Sequence, residues 1–330
     1  MPSVAIHCKA SMSDGMGHIY RQINLANELR KKGWEIFFYI PNFAPAIDLL
    51  SQSNFTSVIM GPQSHVTEYF KKKFDVTILD IQDTTESLIF SIQKCTRYIV
   101  SFEDLGAGRN HVDLLIDCNL APSKIKNLPS STRGLFGTDY SVLHPDFAYY
   151  HAESKNFGTC LQSVLISMGA TDPKNMTLPL TNFILHEKHE LKLTVLIGHN
   201  TKITHALNQL SRQFQLLDIR GPVSNMAQML WGHDVVICSG GVTLHETISV
   251  GTPAFVINQV EHQQTKARFV EKSGAAINLG MGIQYDVEKL REALNLKKHV
   301  LELMSLKAKQ LIDGRGLYRI IDAMNTLMKL

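Results

Sequence analysis

The 330-residue sequence lacks the marks of several protein classes. No stretch approaches the 18 apolar residues of a membrane-spanning helix, and the N-terminus has neither the basic nor the apolar region of a signal peptide. Five widely spaced cysteines with no C-x-x-C pair argue against a disulfide framework or a zinc site. With 33 basic and 30 acidic residues, the chain has no electrostatic footprint for nucleic acid. These absences predict a cytoplasmic protein without nucleic-acid or integral membrane contacts.

Several catalytic signatures are also missing. The sequence contains no D-x-D, the motif that holds a metal–diphosphate pair in many sugar transferases. It has no H-E-x-x-H and no G-x-x-x-x-G-K-[ST], and nothing supports a nucleophilic serine or cysteine triad. We therefore expect chemistry that uses neither a metal ion nor an organic cofactor.

What is present is a rhythm of short apolar runs and longer amphipathic segments, which is typical of βαβ units around parallel sheets. A first series starts with a strand at 4–8 and a second with a strand at 164–168. Between them, 119–162 is rich in proline and glycine. The length fits about two domains. We predict an N-terminal Rossmann-like domain over 1–160 and a C-terminal domain over 161–310. A final helix over 311–330 can cross back to the first domain.

The first candidate site follows the first strand, where Asp-Gly-Met-Gly-His occupies 14–18. Gly15 and Gly17 permit a tight turn and a close approach of a ligand to the backbone. A helix that begins there offers free N–H groups to an anion, and His18 is a candidate general base. The third glycine of a dinucleotide fingerprint is absent. An ordinary helix-start loop with a solvated histidine is the alternative.

The second candidate is Cys-Ser-Gly-Gly at 238–241, directly after an apolar strand. Ser239, Gly240 and Gly241 can cradle phosphate with a hydroxyl and backbone N–H groups. Glu246, about one and a half turns into the following helix, can accept both hydroxyls of a ribose. A simple tight turn and a solvated helix face are the corresponding alternatives.

Two further loops are polar or rich in small residues. In the segment 167–175, Gly169 and Thr171 precede Asp172 and Pro173, which suit the start of a helix. The loop 258–264 carries a cluster of polar side chains that includes His262 and Gln263. Because ligands of doubly wound sheets bind at the carboxyl ends of strands, both loops are candidate binding elements.

Taken in order, these segments resemble one family, the UDP-sugar hydrolases of the pseudaminic acid pathway and their spore-coat polysaccharide relatives (PseG/SpsG). The resemblance covers nearly the whole chain. It is carried by Gly15-x-Gly17-His18-x-x-Arg21, Phe102-Glu103-Asp104-Leu105, Asp113-Leu114-Leu115-Ile116-Asp117-x-Asn119, Gly137-x-x-Tyr140-x-x-Leu143-x-Pro145-x-Phe147, the segments 167–175 and 239–246, Gln263, and Asp313-Gly314-x-Gly316.

The resemblance implies a GT-B fold, two facing Rossmann-like domains with a cleft between them, as in the MurG-type N-acetylglucosaminyltransferase. It implies a UDP-sugar substrate that is cleaved with inversion at its anomeric C–O bond. His18 would then activate water, and Gly15, Gly17 and Arg21 would lie on the substrate side. The remaining residues implied to bind substrate or nucleotide are Gly169, Thr171, Val223 (uracil), Ser239, Gly240, Gly241, Glu246 (ribose), His262 and Gln263.

The chain also departs from the family's pattern, chiefly where the sugar would lie. His7 and Lys9 stand where an arginine and an aspartate are usual, Gln82 replaces a tyrosine, and His262 replaces an asparagine. Nucleotide recognition is thus better founded than the sugar. Hydrolysis is our first hypothesis, and a GT-B glycosyltransferase that uses a UDP-sugar donor is the alternative. A binding protein without catalysis has the least support, since His18 is intact, and the oligomeric state stays open.

Overall fold

A computed structural model describes residues 1–61, 64–119, 128–198 and 203–329. The chain forms two compact units, Met1–Leu143 with Arg315–Leu330, and His144–Gly314. This division comes earlier than the predicted boundary near 160, because the helix Pro145–Ala152 packs on helices of the second unit. Part of the predicted inter-domain region, residues 120–127, lies outside the described ranges.

The first unit is a parallel sheet of seven strands in the order β3-β2-β1-β4-β5-β6-β7. Its central strands are apolar and buried on both faces, as a sheet covered by helices requires. In chain order the elements are β1 (Ser3–Cys8), α1 (Gly17–Lys31), β2 (Glu35–Pro41), α2 (Ala44–Gln52), β3 (Ser57–Met60), β4 (Phe74–Asp80), α3 (Glu86–Gln93), β5 (Thr96–Phe102), β6 (Leu114–Asp117) and β7 (Arg133–Phe136).

The second unit is a parallel sheet of six strands in the order β10-β9-β8-β11-β12-β13. Its elements are α4 (Pro145–Ala152), β8 (Ser163–Ser167), α5 (Thr177–Glu187), β9 (Lys192–Leu196), α6 (Thr204–Gln213), β10 (Leu217–Arg220), α7 (Met226–Trp231), β11 (Val235–Cys238), α8 (Val242–Ser249), β12 (Ala254–Asn258), α9 (Gln263–Lys272), β13 (Ala276–Met281), α10 (Val287–Ala293) and α11 (Lys298–Leu311). The last helix, α12 (Gly316–Lys329), belongs to the first unit and packs against α1.

Each sheet reverses its strand order at one point, between β1 and β4 in the first unit and between β8 and β11 in the second. Cys8 pairs with Asp80 at the first reversal, and Ser167 pairs with Cys238 at the second. The loops that leave these strands therefore start side by side, at the position where doubly wound sheets bind ligands. No helix within the described ranges is long and apolar enough to cross a membrane.

Candidate functional site

The carboxyl edge of the first sheet is built around Asp80, a fully buried residue at the end of β4. Nδ1 of His18, in the first turn of α1, lies 2.7 Å from Oδ1 of Asp80. Arg21, one turn further on, donates from Nη2 to Oδ1 at 2.5 Å and from Nε to Oδ2 at 2.9 Å. Gln22 donates from Nε2 to Oδ2 at 2.8 Å. Each carboxylate oxygen thus faces two donor groups.

The charge state of Asp80 fixes the role of His18. Burial alone would raise the pKa of Asp80, but the charges and hydrogen bonds of Arg21 and His18 outweigh it and lower this pKa to about 2. An ionised carboxylate only accepts hydrogen bonds, so Nδ1 of His18 carries the proton. In the neutral imidazole the lone pair then lies on Nε2, which is the nitrogen that a general base uses.

Arg21 was predicted to lie on the substrate side. Its guanidinium group binds two carboxylates of the protein, Asp80 on one side and Glu103 on the other. It is 6% exposed, and its Nη1 lies 2.7 Å from Oε1 of Glu103. The same oxygen accepts a hydrogen bond from Sγ of Cys118 at 3.1 Å. Arg21 therefore holds Asp80 in place, and each of its three nitrogens is directed at a carboxylate of the protein. Asp80 was missed as a site residue, although its position at the end of an apolar strand was a usable signal.

The loop between β1 and α1 makes a tight reversal before the helix. Gly15 has a φ of +78°, and its N–H donates to the carbonyl of Ser11 at 2.9 Å. Oγ of Ser11 donates to Oδ2 of Asp14 at 2.5 Å, which closes the turn. Gly17 then begins α1, whose first turn has no side-chain cap. Gly15 and Gly17 thus form the turn that brings His18 to Asp80.

The carboxyl edge of the second sheet is built from glycine loops. Gly169, with a φ of +91°, lies so close to Ser239 that a Cβ would be 3.9 Å from its Oγ. Gly240 lies against β12, where a Cβ would come within 2.4 Å of Oδ1 of Asn258. Gly241 caps α8, and a Cβ there would stand 3.6 Å from both Ser239 Oγ and Gln263 Nε2. The predicted residues Gly169, Ser239, Gly240, Gly241 and Gln263 are therefore brought together.

Gln259, which the sequence did not single out, ties the loops of this edge to one another. Its side chain donates to the carbonyl of Met168 and accepts from the N–H of Lys174 at 3.0 Å. Its own N–H donates to Oε1 of Gln263 at 2.8 Å. The loops after β8 and β12 are thus held in one arrangement, with Nε2 of Gln263 left without a partner among the described residues.

Asp172 is a structural residue of this edge. Its carboxylate accepts from the N–H groups of Met176 and Thr177 at 3.0 and 2.9 Å. Asp172 was expected to lie directly before a helix. The helix α5 begins only at Thr177, because the residues between them form turns around the carboxylate of Asp172. Thr171, beside it, is 4% exposed.

Four non-glycine residues next to these two sites have a left-handed backbone conformation. They are Gln82 and Glu103 in the first unit, with φ of +68° and +49°, and Asp172 and Asn175 in the second, with φ of +39° and +52°. Such conformations are costly for residues with a Cβ, and they concentrate at functional sites.

Glu246 and Val223 occupy different parts of the second unit. Burial raises the pKa of Glu246 to about 7, and no described residue donates a hydrogen bond to its carboxylate. Val223 follows β10 and lines an open cavity of about 510 Å³ with Arg220, Asn225 and Met229 among its neighbours. His262 is exposed at the start of α9. No group of three or more His, Cys, Asp or Glu in the described ranges is arranged to hold a metal ion.

The second unit matches a model of a known domain family, and the whole chain has relatives of similar length. Residues 164–315 match the model of the glycosyltransferase family 28 C-terminal domain. The spore coat polysaccharide biosynthesis protein SpsG of Bacillus subtilis is 26% identical over 341 residues, which cover 98% of either chain. An uncharacterized protein of Methanocaldococcus jannaschii is 25% identical, over 89% of this chain and 67% of its own length.

Solved structures give the fold. MurG of Acinetobacter baumannii superposes with a TM-score of 0.68 at 16% identity, covering 99% of this chain and all of that one. The spinosyn forosaminyltransferase SpnP gives 0.66 at 12% identity over the full length of both chains. The UDP complex of MnaA from S. aureus gives 0.65 at 12% identity, over 100% of this chain and 98% of that one. The chain therefore has a GT-B fold of two Rossmann-like units, and its second unit matches a glycosyltransferase family.

Proposed function

We propose that the protein is a GT-B enzyme of polysaccharide biosynthesis that transfers a glycosyl group from a UDP-activated sugar to a hydroxyl group. The observation that carries this proposal is the pair of His18 and Asp80, 2.7 Å apart at the switch point of the first sheet. Asp80 keeps the proton on Nδ1, so Nε2 can take a proton from an attacking oxygen. The match of residues 164–315 to a glycosyltransferase domain supports the same conclusion.

The second unit would hold the nucleotide. Ser239, Gly240 and Gly241 would bind the diphosphate, with Gly169 and Thr171 beside them. The free carboxylate of Glu246 would accept the ribose hydroxyls, and the cavity beside Val223 is large enough for a pyrimidine base. His262 would lie towards the sugar, and Gln263 beside the loop that binds the diphosphate. UDP as the nucleotide is supported by the fold's likeness to MnaA, whose structure contains UDP.

The chemical step needs one base and one stabilised leaving group. His18 Nε2 removes the proton of the attacking hydroxyl while its oxygen bonds to the anomeric carbon. The bond from that carbon to the diphosphate oxygen breaks, and its electron pair leaves with UDP. Attack opposite the leaving group inverts the anomeric centre. The start of α8 would stabilise the negative charge that develops on the diphosphate.

Water is the second candidate for the attacking oxygen. It is favoured by the end-to-end likeness to the spore-coat relative and by the motifs shared with UDP-sugar hydrolases. His18 could serve either reaction, since a proton leaves an oxygen in both. The two candidates differ only in the acceptor, so an acceptor experiment separates them.

The test is to incubate the protein with a panel of UDP-sugars, with and without sugar and polyprenyl-phosphate-linked acceptors, and to measure UDP and free sugar. UDP release that requires an acceptor supports transfer, and stoichiometric free sugar without one supports hydrolysis. Replacing His18 with alanine should lower turnover about 10²–10⁴-fold while UDP binding persists. His111→Ala is the matched control, because His111 pairs at the surface with Glu86. Unchanged turnover in the His18 variant would remove it from the mechanism.

A further inference from the structure

Lys266 lies at the edge of the glycine loops of the second unit. It stands one turn after Gln263 on α9, so both side chains share a helix face. Its Nζ reaches the carbonyl oxygen of Gly241, the residue that caps α8, at 3.5 Å. This is a long hydrogen bond, and it uses one of the three N–H groups of the ammonium. The side chain is half-buried and forms no ion pair with any described residue.

The polar groups around Lys266 are also donors without acceptors. Ser239 is 6% exposed, yet its hydroxyl has no partner among the described residues. Nε2 of Gln263 likewise has none, and both groups face the start of α8 at Gly241. A buried hydroxyl, an amide N–H₂ and an ammonium thus surround one helix start, and none of the three is bonded to a carboxylate of the described residues. Such a set is suited to an anion with several oxygens.

Resting on the function proposed above, we propose that Lys266 is the cationic ligand of the nucleotide's diphosphate and of the charge that develops on it as the sugar leaves. The start of a helix supplies only about half of a positive charge, whereas a nucleoside diphosphate carries two or three negative charges. The ammonium of Lys266 supplies a full charge at the same place. Its weak bond to Gly241 is easily exchanged for a phosphate oxygen.

If Lys266 binds the diphosphate, its replacement should affect some ligands and spare others. UDP, inorganic pyrophosphate and the transition state all carry the charge that Lys266 meets, whereas uridine does not. Replacement of Lys266 with methionine, which keeps the length of the side chain, should weaken UDP and pyrophosphate binding about 10-fold and leave uridine binding unchanged. Turnover should fall further than UDP-sugar affinity, because charge builds up on the diphosphate in the transition state. Binding of UDP should also become less sensitive to salt.

The experiment is calorimetric titration of wild type, Lys266→Met and Lys266→Arg with UDP, pyrophosphate and uridine, together with turnover of each variant. Arginine should restore most of the lost affinity. Lys272→Met is the matched control, since Lys272 is exposed on the last turn of the same helix. Equal UDP affinity and turnover in wild type and Lys266→Met would overturn the role of Lys266 alone. Wild type that binds neither UDP nor pyrophosphate would overturn the proposed function as well.

Discussion

The two sites place a carboxylate in opposite surroundings, since Asp80 is fully buried and Glu246 is half-buried. Asp80 meets His18, Arg21 and Gln22, and its pKa falls to about 2 even though burial acts to raise it. Glu246 meets no donor from the described residues, and burial raises its pKa to about 7. At the first site both oxygens of the carboxylate are met by donors of the protein, although no described residue donates to Oε1 of Gln22. The second site keeps the donors of Ser239 and Gln263 and the carboxylate of Glu246 without partners among the described residues. On the proposed function, a bound nucleotide would supply those partners.

This contrast predicts where substitutions damage the fold and where they damage binding. In the first unit, the loss of one partner leaves the remaining charges buried without a counter-charge. The free energy of unfolding therefore falls. In the second unit, the unpaired groups contribute little to folding, so on the proposed function we expect their removal to lower nucleotide affinity and leave stability nearly unchanged.

Asp80→Asn should have the largest effect. The amide has one acceptor oxygen where the carboxylate has two, so donors of Arg21 and Gln22 lose their acceptor, and the negative charge that faces Arg21 is lost as well. We expect a loss of about 3–5 kcal/mol in unfolding free energy together with most of the turnover. Because the pKa of Asp80 is lowered from 3.8 to about 2, its stabilisation is present above pH 3.8 and disappears as the pH falls through about 2. Denaturant unfolding of both proteins between pH 2 and 7 should show their difference shrinking over that window. Asp83→Asn, at an exposed position nearby, should change stability little; an equal loss there would contradict the prediction.

Gly240→Ala comes next. A Cβ would come 2.4 Å from Oδ1 of the fully buried Asn258 and 2.9 Å from Gln263, so β12 or α9 must shift. We expect a destabilisation of about 1–3 kcal/mol and weaker UDP binding. Gly241→Ala is the matched control for stability, because its Cβ would meet nothing closer than 3.6 Å. Equal melting temperatures for the two variants would show that Gly240 is not tightly packed.

Glu246→Gln tests the unpaired carboxylate. Its pKa is raised from 4.5 to about 7, so the ligand-free protein loses stability as the pH rises through about 7. The glutamine variant lacks this loss and should be more stable than wild type at pH 8, by about 1–2 kcal/mol, and no more stable at pH 4. UDP affinity should fall about 10-fold at pH 8, since the ribose hydroxyls lose an ionised acceptor. Thermal unfolding and UDP titration at both pH values check this, and a pH-independent stability difference would contradict it.

The smallest effects are expected when one serine hydroxyl is removed from each unit. Ser239→Ala removes a group without a described partner, so stability should stay within about 0.5 kcal/mol while UDP affinity falls about 3–10-fold. Ser101→Ala removes a hydroxyl that donates to Asp104 at 2.8 Å in the first unit, and should cost about 1 kcal/mol of stability with no change in UDP affinity. The reverse assignment of the two effects would break the comparison between the sites.

Much of the fold could be predicted from the sequence, because buried parallel strands are continuous apolar runs. The strands predicted over 4–8 and 164–168 are found within one residue of those bounds, as β1 and β8, for this reason. The edge strands β3, β7 and β13 were not predicted. The strand β3 has only four residues, and Arg133–Phe136 and Ala276–Met281 interleave glycine and polar residues with apolar ones. The bounds of the units were misjudged because α4 has no local feature that assigns it to one sheet. Only its packing does so.

The sites were partly predictable for a related reason. Glycine loops and a helix start are local, so His18, Ser239 and Gly240 stood out. The end of an apolar strand marks the position of Asp80, but Asp80 lies 62 residues from His18, so the sequence does not record the contact between them. The same holds for Asn258, which excludes a side chain at Gly240, and for Gln259, which joins two loops. These residues act through partners distant in sequence.

The hydrogen bond between His18 and Asp80 determines how protons can enter and leave the imidazole of His18. With Nδ1 committed to an acid whose pKa is about 2, His18 cannot pass a proton onward through Asp80. Any proton that the imidazole takes up at Nε2 must leave again from Nε2. His18 thus exchanges protons through Nε2 alone. It can act as a base again only after Nε2 has given its proton to solvent or to another acceptor outside the His18–Asp80 pair.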